Sequence, residues 1–278
     1  MSSVRWQADW SPPRPKNALE SNGMNDPQSP AVPFRVTFEM ATPIAINHPW
    51  LHFDSIVSHL ISMRVLGRRF YSLPTKTVQH LSTTEMGDWR YALRKTAGMA
   101  HASISFFEPD EMTSQQYYCR FEPAGVPGLS RVLISAGHYR NWMMQWVLVP
   151  CHICTFYGCG NVDLVSDLIS GLSHLGNDTR VGWGRIHATR IERIEQDVSL
   201  VRNGVAQRPI PTWQCAVHED VVSLGWRAPY WSSGAVDLCV PPGARVSLLS
   251  TCQRKSLWRC TQGLRWGNFE KLAENHAT

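Results

Sequence analysis

The chain has 278 residues, 43% of them apolar and only 18% charged, a globular composition that excludes a wholly disordered or low-complexity protein. A formal charge of +5 and a pI near 8.8 favour an anionic partner, yet fall short of the charge density of histone-like or tail-type nucleic-acid binders. No basic segment leading into an apolar core opens the chain and no run of about 18 apolar residues occurs in it, so a soluble cytoplasmic protein with reduced cysteines is expected.

Residues 1–32 are rich in Pro, Ser, Asn and Asp, and Trp6 and Trp10 show no helical or strand period. They read as a disordered N-terminal extension, with Met24 a second candidate start. From Phe34 the pattern changes: Phe34, Val36, Phe38 and Met40 alternate with Arg35, Thr37 and Glu39, a half-buried strand that Thr42-Pro43 ends. After His48-Pro49, Phe53, Ile56, Val57, Leu60 and Ile61 fall at helical spacing. Asp54 lies in the first turn of that helix, where the macrodipole favours a carboxylate, and its expected role is structural.

Residues 67–141 read as an inserted arm. They carry the basic patches Arg68, Arg69 and Lys76, then Arg90, Arg94 and Lys95, and later Arg140, with a weak helical stretch near 85–97 and short strands near 102–107 and 116–121. Such patches are more often solvated faces than binding sites. Residues 142–156, apolar around Val147, Leu148 and Val149, read as one buried strand. Cys151, Cys154 and Cys159, with His152 among them, are the one place for a zinc site, but a second CxxC or an HxxxH is missing. Free cysteine is also a common core residue, so neither metal nor cofactor is expected.

Val162, Val165, Leu168, Ile169 and Leu172 mark an amphipathic helix that delivers residues 174–186, HLGNDTRVGWGRI. Glycine lets the main chain approach a phosphate and take positive φ, while Arg180 and Arg185 are planar donors suited to phosphate oxygens. Trp183, between Gly182 and Gly184, offers a face on which a base could stack. The alternative is a tight helix-to-strand connection whose glycines only solve a backbone problem. Ile186, Ala188, Ile191 and Ile194 then read as a strand with a slip in register, the mark of a bulge. Strand-helix, insertion, strand-helix-loop-strand is the order of an α+β, split β-α-β, ferredoxin-like (RRM-like) unit. The tail, residues 251–278, interleaves Arg254, Lys255, Arg259, Arg265 and Lys271 with Trp258 and Trp266, and fits partner binding and a plain surface helix equally well.

Four ordered segments within about residues 34–243 resemble the RAMP superfamily of CRISPR effector subunits and, within it, the Cas-five family in its type IV form. FRVTFEMATPIAINHPWLHFDSIVSHL is similar to that family's opening strand, turn and hLDxLL helix, with His52, Phe53 and Asp54 on the pattern and Phe53 in place of Leu. HLGNDTRVGWGRI resembles its glycine-rich loop, although Asn177, Asp178 and Thr179 stand where basic residues are usual. DVSLVRNGVAQRPIP matches at Arg202, Gly204, Arg208 and Pro209, and WRAPYWSSGAVDLCVPPG at Pro229, Tyr230 and Trp231.

The resemblance implies a RAMP domain over residues 33–250 that binds the 5′ handle of a CRISPR RNA and caps a filament of backbone Cas-seven-type subunits. The arm would contact the neighbouring backbone subunit and the guide. It further implies a large or small effector subunit, target DNA and an accessory helicase as partners, with no membrane. The RNA surface would comprise Arg180, Gly182, Trp183, Gly184, Arg185, Arg68, Arg69, Lys76, Arg94, Lys95, Arg140, Arg202, Arg208, Tyr230 and Trp231, and the weakly basic loop would need the arm for part of its grip. Two alternatives remain: a metal-independent endoribonuclease drawing on His101, His138-Tyr139-Arg140 or His174, and a scaffold that binds only protein.

Overall fold

The alternation beginning at Phe34 becomes the inner strand β1 (Val32–Met40), which turns its apolar set inward and Arg35, Thr37 and Glu39 outward. The computed structural model describes residues 31–67, 92–119, 141–230 and 233–249. Outside the described residues lie most of the expected N-terminal extension, Arg68, Arg69, Lys76, Arg90, His138, Tyr139, Arg140, Trp231 and the 251–278 tail.

After β1 come β2 (Ile44–Ile46) and α1 (Phe53–Leu66). Phe53, Val57 and Ile61 are buried on α1 with Ile56 and Leu60 partly so, the arc expected from their spacing. Then follow β3 (Lys95–Thr96), β4 (Met99–Ala100), β5 (Phe106–Glu108), β6 (Thr113–Cys119), β7 (Trp142–Val149) and β8 (Ile153–Gly160). Helix α2 (Val162–Ile169) is capped by Asn161, whose side chain accepts from Leu164 N at 3.0 Å, and it leads through the glycine-rich loop to β9 (Ile186–Arg193).

The fold is α+β, and its main sheet is antiparallel with the order β5-β8-β1-β9. Phe34, Val36 and Phe38 of β1, Cys154 and Phe156 of β8, and the apolar arcs of α1 and α2 make one core on one face of that sheet. The expected slip in β9 is present: Met40 pairs with Ile186 but Glu39 with Ala188, which leaves His187 as the extra residue of a bulge.

Three expectations are corrected. Residues 142–156 form two strands in different sheets, because Pro150 interrupts the run and β7 pairs with β2 and β6 while β8 pairs with β1 and β5. Within the weak helical stretch, Ala92 alone of the described residues is helical, Leu93 to Thr96 are extended or bridged, and β3 turns into β4 through Ala97 and Gly98, both at positive φ. Residues 92–108 are not part of a projecting arm, since β5 is a strand of the main sheet and Leu93 and Ala102 bridge to Gly160 and Gly158.

A second set of short strands follows: β10 (Val201–Arg202), β11 (Val205–Ala206), β12 (Ile210–Pro211), β13 (Cys215–His218), β14 (Val222–Gly225), β15 (Val236–Val240) and β16 (Val246–Leu248). They enclose their own core around Ile210, Trp226, Cys239 and Val240, and Met99 of β4 reaches into it.

Candidate nucleic-acid interface

The glycine-rich loop is stitched to the chain that leaves β1. Gly184 N donates to Pro43 O (2.7 Å), Leu175 N to Gly184 O (2.7 Å) and Asn177 N to Ala45 O (2.8 Å). Thr42 Oγ1 donates to Gly182 O (2.8 Å) and accepts from Arg185 N (2.9 Å). The glycines divide by role: a Cβ on Gly184 would lie 1.7 Å from Leu175 O, whereas one on Gly182 (φ 97°) would meet nothing within 4 Å. The backbone explanation therefore accounts for Gly184, while Gly182 presents an open, left-handed turn. Arg180 and Arg185 are exposed and make no ion pair among the described residues. Arg180 shares a depression of about 280 Å³ with Asp178, Thr179 and Val181.

Trp183 is half-buried, its ring edge-on to Trp146 of β7 at 5.9 Å, and Trp146 in turn packs on Tyr117 of β6 at 4.4 Å. Instead of standing free for a base, Trp183 ties the loop to β6 and β7.

Arg94, Lys95 and Arg202 belong to another part of the surface. Arg202 stacks over Tyr157 (5.4 Å), which pairs across the sheet with Arg35, whereas the loop enters beside Met40. Five residues of strand separate these points, roughly 17 Å. Tyr157 and Phe106, 5.8 Å apart, form an aromatic pair on the open face of the sheet that sequence patterning did not single out. The neighbouring cations are already engaged, Arg35 with Glu192 and Arg190 with Glu39 at 2.9 Å.

Near Arg94, His101 Nδ1 contacts Asp197 Oδ2 and Nε2 contacts Thr96 Oγ1, both at 2.6 Å. Burial works against the Asp197 charge, but hydrogen bonds from His101 and Ser199 outweigh it and hold the carboxyl at about 2. His101 is 8% exposed with both ring nitrogens engaged, the setting of a buried polar anchor.

Arg208 and Tyr230, expected on the RNA surface, are turned inward. Arg208 is 0% exposed; it donates to Ala100 O (2.6 Å), Ala102 O (3.0 Å), Trp226 O (2.7 Å), Tyr230 Oη (2.7 Å) and Asp54 Oδ2 (3.2 Å). Tyr230 Oη donates to Asp54 Oδ1 at 2.6 Å. Burial disfavours the guanidinium charge, but Asp54 and Tyr230 outweigh it and raise the pKa, while burial raises the Tyr230 phenol well above its usual range. The structural role expected for Asp54 thus has its partner. Three of the four resembling segments meet here, joining α1, the chain after β4 and the small β-region.

His52 completes the cluster, stacked on Tyr230 at 3.6 Å with Nε2 accepting from Trp50 Nε1 at 3.1 Å. Burial pushes its pKa from 6.5 down to about 4. A histidine buried neutral stabilises the fold fully above its unfolded pKa and loses that contribution as pH falls toward the folded one. Stability should therefore drop by on the order of 3 kcal/mol between pH 6.5 and 4, and His52→Phe, which keeps a ring on Tyr230, should flatten that slope in urea titrations at stepped pH.

Cys151, Cys154 and Cys159 are buried. Burial moves the thiols upward, to about 11 for Cys151 and Cys159 and well above the usual range for Cys154, as fits core residues. Among the described residues no group of three or more His, Cys, Asp or Glu side chains is placed to hold a metal ion, and no helix is long and apolar enough to cross a membrane.

Residues 92–240 match the family model of the CRISPR type IV associated protein Csf3. Two solved structures are similar to the chain at low identity. One is a cryo-EM structure of the Type III-B Cmr-beta bound to cognate target RNA, at 8% identity and a TM-score of 0.33, covering 59% of this chain and 61% of that one. The chain thus spans about six tenths of that relative's length. The other is the Type III-B Cmr-beta bound to cognate target RNA and AMPPnP, at 15% identity and a TM-score of 0.28, covering 87% of this chain and 74% of that one. No protein of curated function matches. With the family match extending over more than half of its 278 residues, the chain belongs to the CRISPR type IV associated protein Csf3 family.

Proposed function

We propose that the chain is a non-catalytic subunit of a type IV CRISPR ribonucleoprotein effector that holds the 5′ handle of the crRNA at its glycine-rich loop and caps the filament of backbone subunits. The observation carrying this reading is that Arg180 and Arg185, unpaired among the described residues, flank the open left-handed turn at Gly182. Two planar cations around an accessible backbone suit the phosphates of a single strand. The sheet order β5-β8-β1-β9 with both helices on one face supports a ferredoxin-like, RAMP-type reading of the domain. In such an assembly base pairing by the guide reads the target, so this subunit needs affinity for RNA shape rather than for sequence. Cas-seven-type backbone subunits, a large or small subunit, target DNA and an accessory helicase are its partners on this reading.

Non-catalysis draws support from His101, which would have to break two hydrogen bonds to act as a general base. The test is the double variant Arg180→Ala/Arg185→Ala, with crRNA-handle affinity measured over a salt series. Its log Kd against log salt should be shallower by about 1.4, at about 0.7 per lost phosphate contact on a single strand. Unchanged affinity and slope would leave the protein-only scaffold as the better account, and cleavage of repeat RNA by purified wild-type protein in EDTA would restore the nuclease.

A further inference from the structure

The glycine-rich loop carries an acid as well as its two unpaired arginines. Asp178 precedes the short 3-10 turn Thr179–Val181, a position from which an aspartate ordinarily accepts from an amide of the turn that follows. Here its backbone is left-handed (φ 53°) and its side chain makes no such bond. The carboxylate is exposed and forms no ion pair among the described residues, not even with Arg180 two positions on. Both side chains nevertheless line the same depression of about 280 Å³, together with Thr179 and with Val181, which is 61% exposed and supplies an apolar wall. An apolar wall with a few unpaired polar groups is the composition of a ligand site, and the volume falls just below that of sites for drug-sized ligands, as suits a single flat ring system.

The depression is built on a fixed backbone. Asn177 N donates to Ala45 O (2.8 Å), Val181 N to Asp178 O (3.1 Å) and Gly182 N to Thr179 O (3.1 Å), while Thr42 Oγ1 donates to Gly182 O (2.8 Å). The carboxylate is presented from a turn tied at both ends, which leaves little main chain to order on binding.

A free carboxylate beside Arg180 works against phosphate. On a surface that only gripped the backbone it would weaken every strand alike, because like charges brought together are unfavourable. A ligand that turns N–H donors toward it offsets that cost. Along an RNA strand the donors are base edges and 2′-hydroxyl groups. Guanine is the one base that sets two donor groups, N1–H and the N2 amine, side by side on its Watson–Crick edge, the complement of two carboxylate oxygens.

We propose that the depression takes one unpaired guanine of the strand held at the loop: the Asp178 carboxylate accepts from N1–H and N2–H, Val181 packs against the ring, and Arg180 stays with a flanking phosphate. This rests on the proposed RNA role of the loop, and it adds one point of base selectivity to a grip that otherwise follows shape. Asp178 selects by exclusion as well as by attraction, since a base without paired donors leaves its charge facing the strand uncompensated.

The probe is a short single-stranded oligouridine with one central guanosine, which can slide until the guanine finds the depression. Its affinity for the full-length chain is compared with that of strands carrying inosine, which lacks the N2 amine, 2′-deoxyguanosine, or uridine throughout. EDTA is present so that no cation bridges carboxylate and phosphate. Guanosine should be preferred over inosine roughly tenfold, the discrimination of one good bidentate pair, and 2′-deoxyguanosine should bind like guanosine. Asp178→Asn should cut the preference below about twofold and tighten the all-uridine strand, with the melting temperature within a few degrees, because asparagine accepts a left-handed backbone as aspartate does. A wild-type chain that does not distinguish guanosine from inosine overturns the proposal, as does a preference that survives Asp178→Asn. So does 2′-deoxyguanosine binding as poorly as inosine, which would place a 2′-hydroxyl on the carboxylate. If all strands bind alike and Arg180→Ala/Arg185→Ala weakens them together, the RNA role of the loop stands and the base reading alone fails; if no strand binds, both fail.

Discussion

Arg208→Met should lower the free energy of unfolding by about 3–5 kcal/mol, the cost of removing one partner of a buried ion pair. For a chain of this size that amounts to a fall in melting temperature of roughly 10 °C. The methionine fills much of the volume but leaves the Asp54 carboxylate buried with only the Tyr230 hydroxyl opposite it, and it withdraws one donor from each of Ala100 O, Ala102 O and Trp226 O, of which Ala100 O keeps the Ala102 N–H at 3.0 Å. Arg208→Lys should be nearly as damaging, because a single ammonium cannot reproduce a planar fork that reaches five acceptors. Adding Asp54→Leu to Arg208→Met should recover the electrostatic part of the loss and none of the part owed to the three carbonyls. Thermal and urea melts of the four proteins close a double-mutant cycle whose coupling energy isolates the ion pair. Melts of Arg208→Met that overlay the wild type would sink the idea that this cluster holds the small β-region to the main sheet.

The burial of Arg208 was legible neither from its type nor from alternation. Arginine and tyrosine in motifs resembling an RNA-binding family read as surface groups, and Arg208 lies in the irregular link between β11 and β12, where every residue from 206 to 211 is buried whatever its parity. Asp54, by contrast, lies on the buried arc of α1, beside Phe53 and ahead of Val57 and Ile61. An acid on an inward-facing position should be paired with a base, since an isolated buried charge is too costly. The strands β1 and β9 and the helices α1 and α2 were readable because each has one wet and one dry face, so that period and burial coincide.

β7 was misread for the opposite reason. Its Trp, Met and Val side chains populate both faces, and composition cannot distinguish a strand buried on both sides from one that projects with apolar side chains exposed. The aromatic pair Phe106 and Tyr157 escaped notice because it is made by strands distant in sequence, and register is a tertiary property. Arg94, taken from a basic patch, and Arg202, carried over from a resembling segment, share one expected RNA surface with the loop, but the sheet places them near its other end.

Substituting the two glycines that flank Trp183 separates the architecture of the loop from its ligand. Gly184→Ala should cost at least about 3 kcal/mol: a φ of 70° already strains an L-residue, and the new Cβ overlaps Leu175 O, a backbone atom that cannot rotate away. Relief requires breaking the Leu175 N–Gly184 O bond or the Gly184 N–Pro43 O bond, the two that fasten the loop to itself and to the chain leaving β1. Amide exchange should accordingly accelerate at Leu175 and Asn177 together with the fall in melting temperature. Gly182→Ala meets open space, so only backbone strain of about 1–2 kcal/mol remains and the hydrogen bonds around Thr42 survive. If phosphate lies against that turn, Gly182→Ala should weaken handle RNA by more than its stability loss explains, because the methyl stands where the ligand approaches. Equal, small effects of both alanines on melting temperature would contradict the close packing at Leu175, and an RNA affinity untouched by Gly182→Ala would move the phosphate contacts off the turn and onto Arg180 and Arg185 alone.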